Sequence, residues 1–237
     1  MSLYRDQGIV VRTWKLGEAD RIIVIITEGN GKVRVVAKGV RKTRSKFGGR
    51  LEPTSHVALQ LFRGKSDLGI VTQAETIDRF QNIRSNPDLF SDASSMLEVV
   101  DHVAPDESPD PIRYKMLLGA LRTLDEKSPP LLVPAFFLKL LDHEGLAPEL
   151  GFCVKCLDTE NLVSISVSEG GVFCIKCKRG KSISDTSIAV MRAILGGALN
   201  QALEVEDSKT ISEIDRIASE AVEFHLERKI RSRRVMD

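Results

Sequence analysis

With 237 residues the chain exceeds one average domain, buries a sizeable core and is expected to hold two or three modules. Its formal net charge of +1 hides an uneven spread: residues 1–80 hold 15 Lys and Arg against 8 Asp and Glu, residues 81–150 hold 6 against 12, residues 151–181 hold 5 against 3, and residues 182–237 hold 8 against 10. The longest apolar stretch, Ile22 to Ile26, is far too short to span a bilayer, and the opening residues lack a secretory pattern, so a cytoplasmic chain is expected whose basic amino-terminal third faces a polyanion.

Five β-type segments fill the first eighty residues: Gly8 to Trp14, Arg21 to Thr27, Lys32 to Ala37, His56 to Phe62 and Leu68 to Glu75. Glu28-Gly29-Asn30-Gly31 and Gly64-Lys65-Ser66-Asp67 read as tight hairpin turns. Five short strands with one long central connection predict a five-stranded OB-type barrel, a fold whose loops and open face commonly hold single strands. The long connection is cationic: from Lys32 to Arg50 the chain carries Lys32, Arg34, Lys38, Arg41, Lys42, Arg44, Lys46 and Arg50 without one acid. Punctuated by Gly39, Gly48 and Gly49, it reads as a flexible loop that grips phosphates and carries no base specificity. A solvated charged loop without a ligand is the plainer alternative. Trp14, Phe47 and Phe62 are the aromatics placed to stack on bases; Phe47 is the favoured one, since Trp14 and Phe62 fit a barrel core equally well.

From Asn86 the spacing turns helical. Leu89, Ala93, Met96, Leu97 and Val100 form one apolar face, Tyr114, Leu117, Leu118, Leu121 and Leu124 a second, and Val133, Phe136, Phe137, Leu140 and Leu141 a third, with Pro105, Pro109, Pro111, Pro129 and Pro130 in the links. Asp106, Glu107 and Asp110 lie in a proline-rich link without a partner histidine and read as a solvated turn. The same periodicity resumes at Ile188 to Leu199 and Ile211 to Ile230, and the last helix runs into Arg228, Lys229, Arg231, Arg233 and Arg234, cations that complement a helix carboxyl end. The modules expected are therefore a nucleic-acid-binding barrel over 1–80, a helical domain over 81–150 continued by 182–237, and an insert over 151–181, an α+β architecture.

That insert holds all four cysteines as two C-x-x-C pairs, Cys153/Cys156 and Cys174/Cys177, separated by 17 residues. The spacing suits two knuckles closing four sulfurs around one tetrahedral ion, and Asn161 to Val167, Gly170-Gly171 and Val172-Phe173 supply a hairpin between them, so a zinc ribbon is predicted. Lys155, Lys176, Lys178, Arg179 and Lys181 would favour the thiolates. With four sulfurs and no water position, one Zn2+ is expected to be structural; buried thiols, a redox dithiol or an iron–sulfur cluster are the alternatives. No catalytic residue is expected. Gly64-Lys65-Ser66 lacks the earlier glycine of a phosphate-binding loop, and His56, His102, His143 and His225 are scattered and read as structural.

Three segments together resemble the bacterial recombination mediator family RecO. Residues 7–64, QGIVVRTWKLGEADRIIVIITEGNGKVRVVAKGVRKTRSKFGGRLEPTSHVALQLFRG, are similar to that family's barrel and loop; residues 136–156, FFLKLLDHEGLAPELGFCVKC, are similar to its helix-to-zinc junction; and residues 224–234, FHLERKIRSRR, are similar to its closing helix. The resemblance implies a non-enzymatic, nucleoid-associated role in RecF-pathway DNA repair. It further implies binding of single- and double-stranded DNA, annealing of complementary strands, association with RecR and the single-strand-binding protein, and help in loading RecA. By match to the loop it implies DNA contact at Lys38, Arg41, Lys42, Arg44, Lys46 and Arg50, extended more weakly to Arg228, Lys229, Arg231, Arg233 and Arg234. Two other classes remain open on the residues alone: a zinc-ribbon enzyme modifying nucleic acid, which needs a convergent acid, base or open metal site, and a sequence-specific DNA-binding regulator, which needs a recognition helix.

Overall fold

The computed structural model describes residues 2–64 and 68–232, so the expected turn at Lys65-Ser66-Asp67 and the terminal Arg233 and Arg234 lie outside the described residues. The first five strands are β1 (Ser2–Leu16), β2 (Asp20–Thr27), β3 (Gly31–Ala37), β4 (His56–Arg63) and β5 (Gly69–Asp78). They hydrogen-bond in the order β1-β2-β3-β5-β4, and β4 returns to β1, so the sheet closes into a barrel. Each lies within about three residues of the β-type segment expected for it, except that β1 begins at Ser2 instead of Gly8. The added residues become strand through β4, which pairs them from Ser2 opposite Arg63 to Ile9 opposite His56.

β1 thus serves β4 with its first half and β2 with its second. Gly8 sits at the overlap, where a Cβ would lie 2.6 Å from Ile25 Cγ2 and 2.8 Å from the Ile26 carbonyl oxygen. A bulge between Val10 and Arg12 turns the strand, and Thr54 and Ser55 take up the main-chain groups of Val10 that the bulge frees. Inside, Val10, Ile23, Ile25, Val33, Val35, Val57, Leu59, Leu61 and Val71 form the core.

The helices are α1 (Gln81–Ser85), α2 (Pro87–Val103), α3 (Pro111–Glu126), α4 (Leu132–His143), α5 (Asp185–Leu195), α6 (Leu199–Ala202) and α7 (Ser208–His225). Local chemistry sets the starts. Asn86 Oδ1 accepts from the backbone N–H groups of Asp88 and Leu89 with Pro87 behind it, and the Asp207 carboxylate caps α7 through the N–H of Thr210. The expected helix from Ile188 to Leu199 is divided at Gly196-Gly197, with Gly197 at φ +96°, and the one expected to reach Ile230 stops at His225 as Glu227 turns to φ +52°. Arg228, Lys229 and Arg231 therefore follow a helix instead of riding on one.

By compactness the chain forms two units. One runs to Glu126 and takes the chain back from Arg231; the other is Lys127–Ile230. In the first, α1, α2 and α3 pack on one another, α2 lies against β1, and the Tyr114 hydroxyl of α3 is 2.7 Å from His56 Nε2 of β4. In the second, α7 packs on α4 and α5, and a three-stranded sheet, β6 (Leu162–Ser166), β7 (Gly171–Cys174) and β8 (Lys181–Ser182), is ordered β7-β6-β8. No described helix is long and apolar enough to cross a membrane.

Candidate nucleic-acid interface and metal centre

The link from β3 to β4 leaves the barrel at Lys38 and returns at Ser55 as a succession of turns. The expectation of a flexible loop needs correcting, because apolar side chains pin it. Phe47 and Leu51 are each 1% exposed and belong to the barrel core, with Val40 packed against the same cluster. Polar ties add to this: Gly39 N–H donates to Asp20 Oδ1 (2.7 Å), Arg41 N–H to the Ala19 carbonyl (2.9 Å), and Arg21 pairs with Glu52 (2.7 Å).

On this pinned frame Lys38, Arg41, Lys42, Arg44 and Lys46 are exposed and Arg50 is half-buried. Arg41 donates to the carbonyls of Gly17 and Glu18, Lys46 to that of Thr72, and Arg50 to those of Lys46 and Phe47. Carbonyl partners orient a cation without neutralising it. Among the described residues none of the six is paired with a carboxylate, so their field is open to an anion.

Lys32 and Arg34, part of the same acid-free run, behave differently. Lys32 is buried, donates to the Asp101 carbonyl (2.8 Å) and lies 3.3 Å from Asp106 Oδ1, while Arg34 pairs with Asp106 at 3.0 Å. Asp106 and Glu107 are exposed, as a solvated turn requires, and each in addition pairs with a barrel cation, Glu107 with Arg63 at 2.5 Å. The aromatics are reassigned. Phe47 is a core plug with Lys46 Nζ 4.9 Å from its ring centroid, whereas Trp14 is 37% exposed with the Arg12 guanidinium 5.2 Å above it. Trp14 is therefore the accessible one of the two. The signal for Phe47 was present in the sequence, since an aromatic amid charges with Leu51 four residues on is also the pattern of an anchor.

The four cysteines come together as the spacing predicts. Their sulfurs lie within 4.8 Å of one another, and Cys156 Sγ is 3.6 Å from Cys174 Sγ. An edge of about 3.8 Å is expected for a tetrahedron with 2.3 Å metal–sulfur arms, so the donor set fits a thiophilic ion, and none of the four is in a disulfide. Two tight turns shape the knuckles, through Leu157 N–H to the Cys153 carbonyl and Cys177 N–H to that of Cys174, and β6 and β7 bring the second knuckle beside the first. Burial raises the Cys153 thiol, but backbone N–H groups of Cys174, Lys155 and Cys156 outweigh it and bring the group down to about 6. Cys177 is pushed up to about 12 by its hydrogen bond with Cys156 and then by burial. Of the nearby cations, Lys155, Lys176 and Lys178 are exposed, while Arg179 is held by Glu169 (3.1 Å) and Lys181 by Glu220 (2.8 Å).

Of the closing cations, Lys229 is bound to Glu223 at 2.5 Å. His56 is a core residue bonded to Tyr114, in keeping with its structural reading.

Comparison with known proteins gives one answer over both halves. A family model described as "Recombination protein O N terminal" matches residues 1–80, and one described as "Recombination protein O C terminal" matches residues 84–234. The chain is 40% identical to the "DNA repair protein RecO" of Streptomyces coelicolor, with all of both chains covered. It is 37% identical to that of Cutibacterium acnes over 98% of each chain. Against that of Thermobifida fusca it is 38% identical over all of this chain and 99% of the other.

Proposed function

The chain belongs to the recombination protein O family of DNA repair proteins, and from that premise we propose that it is a DNA-binding recombination mediator whose barrel loop holds the strand. The observation that carries this is the set of six cations on a loop anchored by Phe47 and Leu51, five of them exposed and Arg50 half-buried, all without carboxylate partners among the described residues. Lys38, Arg41, Lys42, Arg44, Lys46 and Arg50 neutralise backbone phosphates, which lowers the repulsion between two strands and lets complementary segments pair. No bond is made or broken. The reading includes an OB type for the barrel over residues 1–80, helical segments over 81–150 and 182–237, a cytoplasmic location, and a handover role in which the protein works with RecR and the single-strand-binding protein to help load RecA. The pinned loop supports it, since cations on a rigid frame lose little freedom on meeting a phosphate.

In the same reading Cys153, Cys156, Cys174 and Cys177 hold one structural Zn2+, which closes the ribbon over residues 151–181. Four sulfur donors leave no position for a water, so the ion supplies folding energy and not chemistry.

The test is a salt titration of binding to a labelled single-stranded oligonucleotide. If about 4–5 phosphates are contacted, log affinity falls with log salt at a slope of about −3 to −3.5, roughly a hundredfold loss from 50 to 200 mM. The Lys42→Ala/Arg44→Ala variant is expected to bind with a shallower slope; an unchanged slope refutes the assignment of the loop.

A further inference from the structure

The barrel carries a second pair of cations away from the loop. Arg34, on β3, and Arg63, at the end of β4, border a cavity of about 210 Å³ whose walls include Tyr4, Gly69 and Glu107. Each guanidinium already holds a carboxylate: Arg34 Nη2 is 3.0 Å from Asp106 Oδ2, and Arg63 Nη2 is 2.5 Å from Glu107 Oε1.

Both acids are delivered by the α2–α3 link, which is docked along β3. Glu107 N–H donates to the Lys32 carbonyl (2.9 Å), Lys32 and Asp106 form a parallel bridge, and a Cβ on Gly31 would lie 2.1 Å from the Ser108 carbonyl oxygen. Glu107 itself is held at φ +54°, a left-handed conformation that costs a glutamate energy and is retained where the surroundings fix it. The docking is thus main-chain and tight, whereas the carboxylate ends are loose: Arg34 and Asp106 are 46% and 48% exposed, Arg63 and Glu107 47% and 57%. Lys32, by contrast, is buried between Asp101 and Asp106, and when Asp106 swings away it keeps its 2.8 Å bond to the Asp101 carbonyl and the Asp101 carboxylate 3.9 Å away.

We propose that Arg34 and Arg63 form a second phosphate-binding site for a nucleic-acid strand, and that Asp106 and Glu107 occupy it in cis as stand-ins for phosphate until a strand displaces them. The inference rests on the DNA-binding reading of the barrel. Half-exposed ion pairs contribute little net stability, so exchanging a carboxylate for a phosphate costs the fold little, and the phosphate gains from release of its condensed counterions. The main-chain dock survives the exchange, so only side chains need swing away. In this way the acidic link lowers affinity for a strand and keeps it reversible.

The experiment measures fluorescence anisotropy of a labelled thymidine 30-mer with the full chain between 50 and 200 mM salt. Asp106→Asn/Glu107→Gln frees two positive charges. It should tighten binding on the order of tenfold at 100 mM salt and steepen the log–log slope by about 1.4, two contacts at about 0.7 each. Adding Arg34→Ala/Arg63→Ala to that variant should return affinity and slope to the wild-type values. A slope equal to wild type in the Asn/Gln variant overturns the proposal, as does a gain that survives removal of the two arginines, which would reduce it to general repulsion. Glu107→Gln with and without Arg63→Ala repeats the comparison at one pair, with half the change in slope expected, should the larger variants fold poorly. If the wild-type chain itself shows no salt-dependent affinity, the loop reading falls first; if it binds with a slope near −3 and the Asn/Gln variant matches it, only this inference falls.

Discussion

Phe47 lies within a run of cations, yet its ring is sealed in the barrel with Leu51, Val10 and Ile25. It holds the position of Lys46 and Arg50 on either side. Truncating it removes a large apolar surface and leaves a void, for which a loss of about 3–5 kcal/mol is expected. Chemical denaturation should therefore show Phe47→Ala strongly destabilised and Lys42→Ala within about 0.5 kcal/mol of wild type, because exposed charges contribute little. His56 gives a pH signature of its own. Burial, then the positive charge of Arg122, lowers its pKa below the ordinary 6.5. The unfolded chain accordingly takes up a proton before the folded one does, and stability falls as pH drops through 6.5 towards the folded value, with no contribution above 6.5. Acidification from pH 7.5 to 5 should cost the wild type more stability than His56→Gln, measured as the difference in denaturation midpoints; equal losses would remove His56 from the account.

Among the elements, the three-stranded sheet beside the four cysteines is the one that the proposed zinc reading makes dependent on more than its own packing. Its three strands are short, and β8 has two residues. So small a sheet has few apolar side chains to bury beyond Leu162, Ile165, Val172 and Phe173, and the four converging sulfurs are where additional stability is expected to come from. Cys156→Ser, at the exposed corner, should lower bound zinc below one per chain and lower the thermal midpoint, while salt-dependent affinity for an oligonucleotide stays close to wild type. A chelator added to wild type should reproduce the lower midpoint. Loss of strand affinity in step with loss of metal would instead place the ribbon in the binding surface.

On the scale of the whole molecule, a near-neutral sum conceals a barrel that is positive where its loop is open and self-neutralised where the α2–α3 link lies. In the proposed reading such a surface would attract a strand without binding it irreversibly, which suits a protein expected to pass DNA on. Annealing of complementary oligonucleotides, bare and coated by the cognate single-strand-binding protein, should be slower by at least tenfold for Lys42→Ala/Arg44→Ala than for wild type at about 100 mM salt. Equal rates would separate annealing from the loop.

The apolar run of β2, the alternation along β4 and the 3.6-residue faces of α2, α3, α4 and α7 were legible in the sequence because burial imposes its pattern on neighbouring residues. The cysteine pairs were legible for a similar reason, since tetrahedral ligation demands a fixed spacing within each knuckle. What lay beyond the sequence arises from contacts distant along the chain. The first residues of β1 are strand only because β4 lies beside them, and Phe47 is core only because the link folds back over the barrel end. Asp106 and Glu107 meet Arg34 and Arg63 only because β3 leaves an edge that the link can cover. Composition and periodicity determined which residues are charged, apolar or metal-binding. Tertiary structure alone decided which charges remain open to a partner, because neutralisation depends on distances in space that no local pattern encodes.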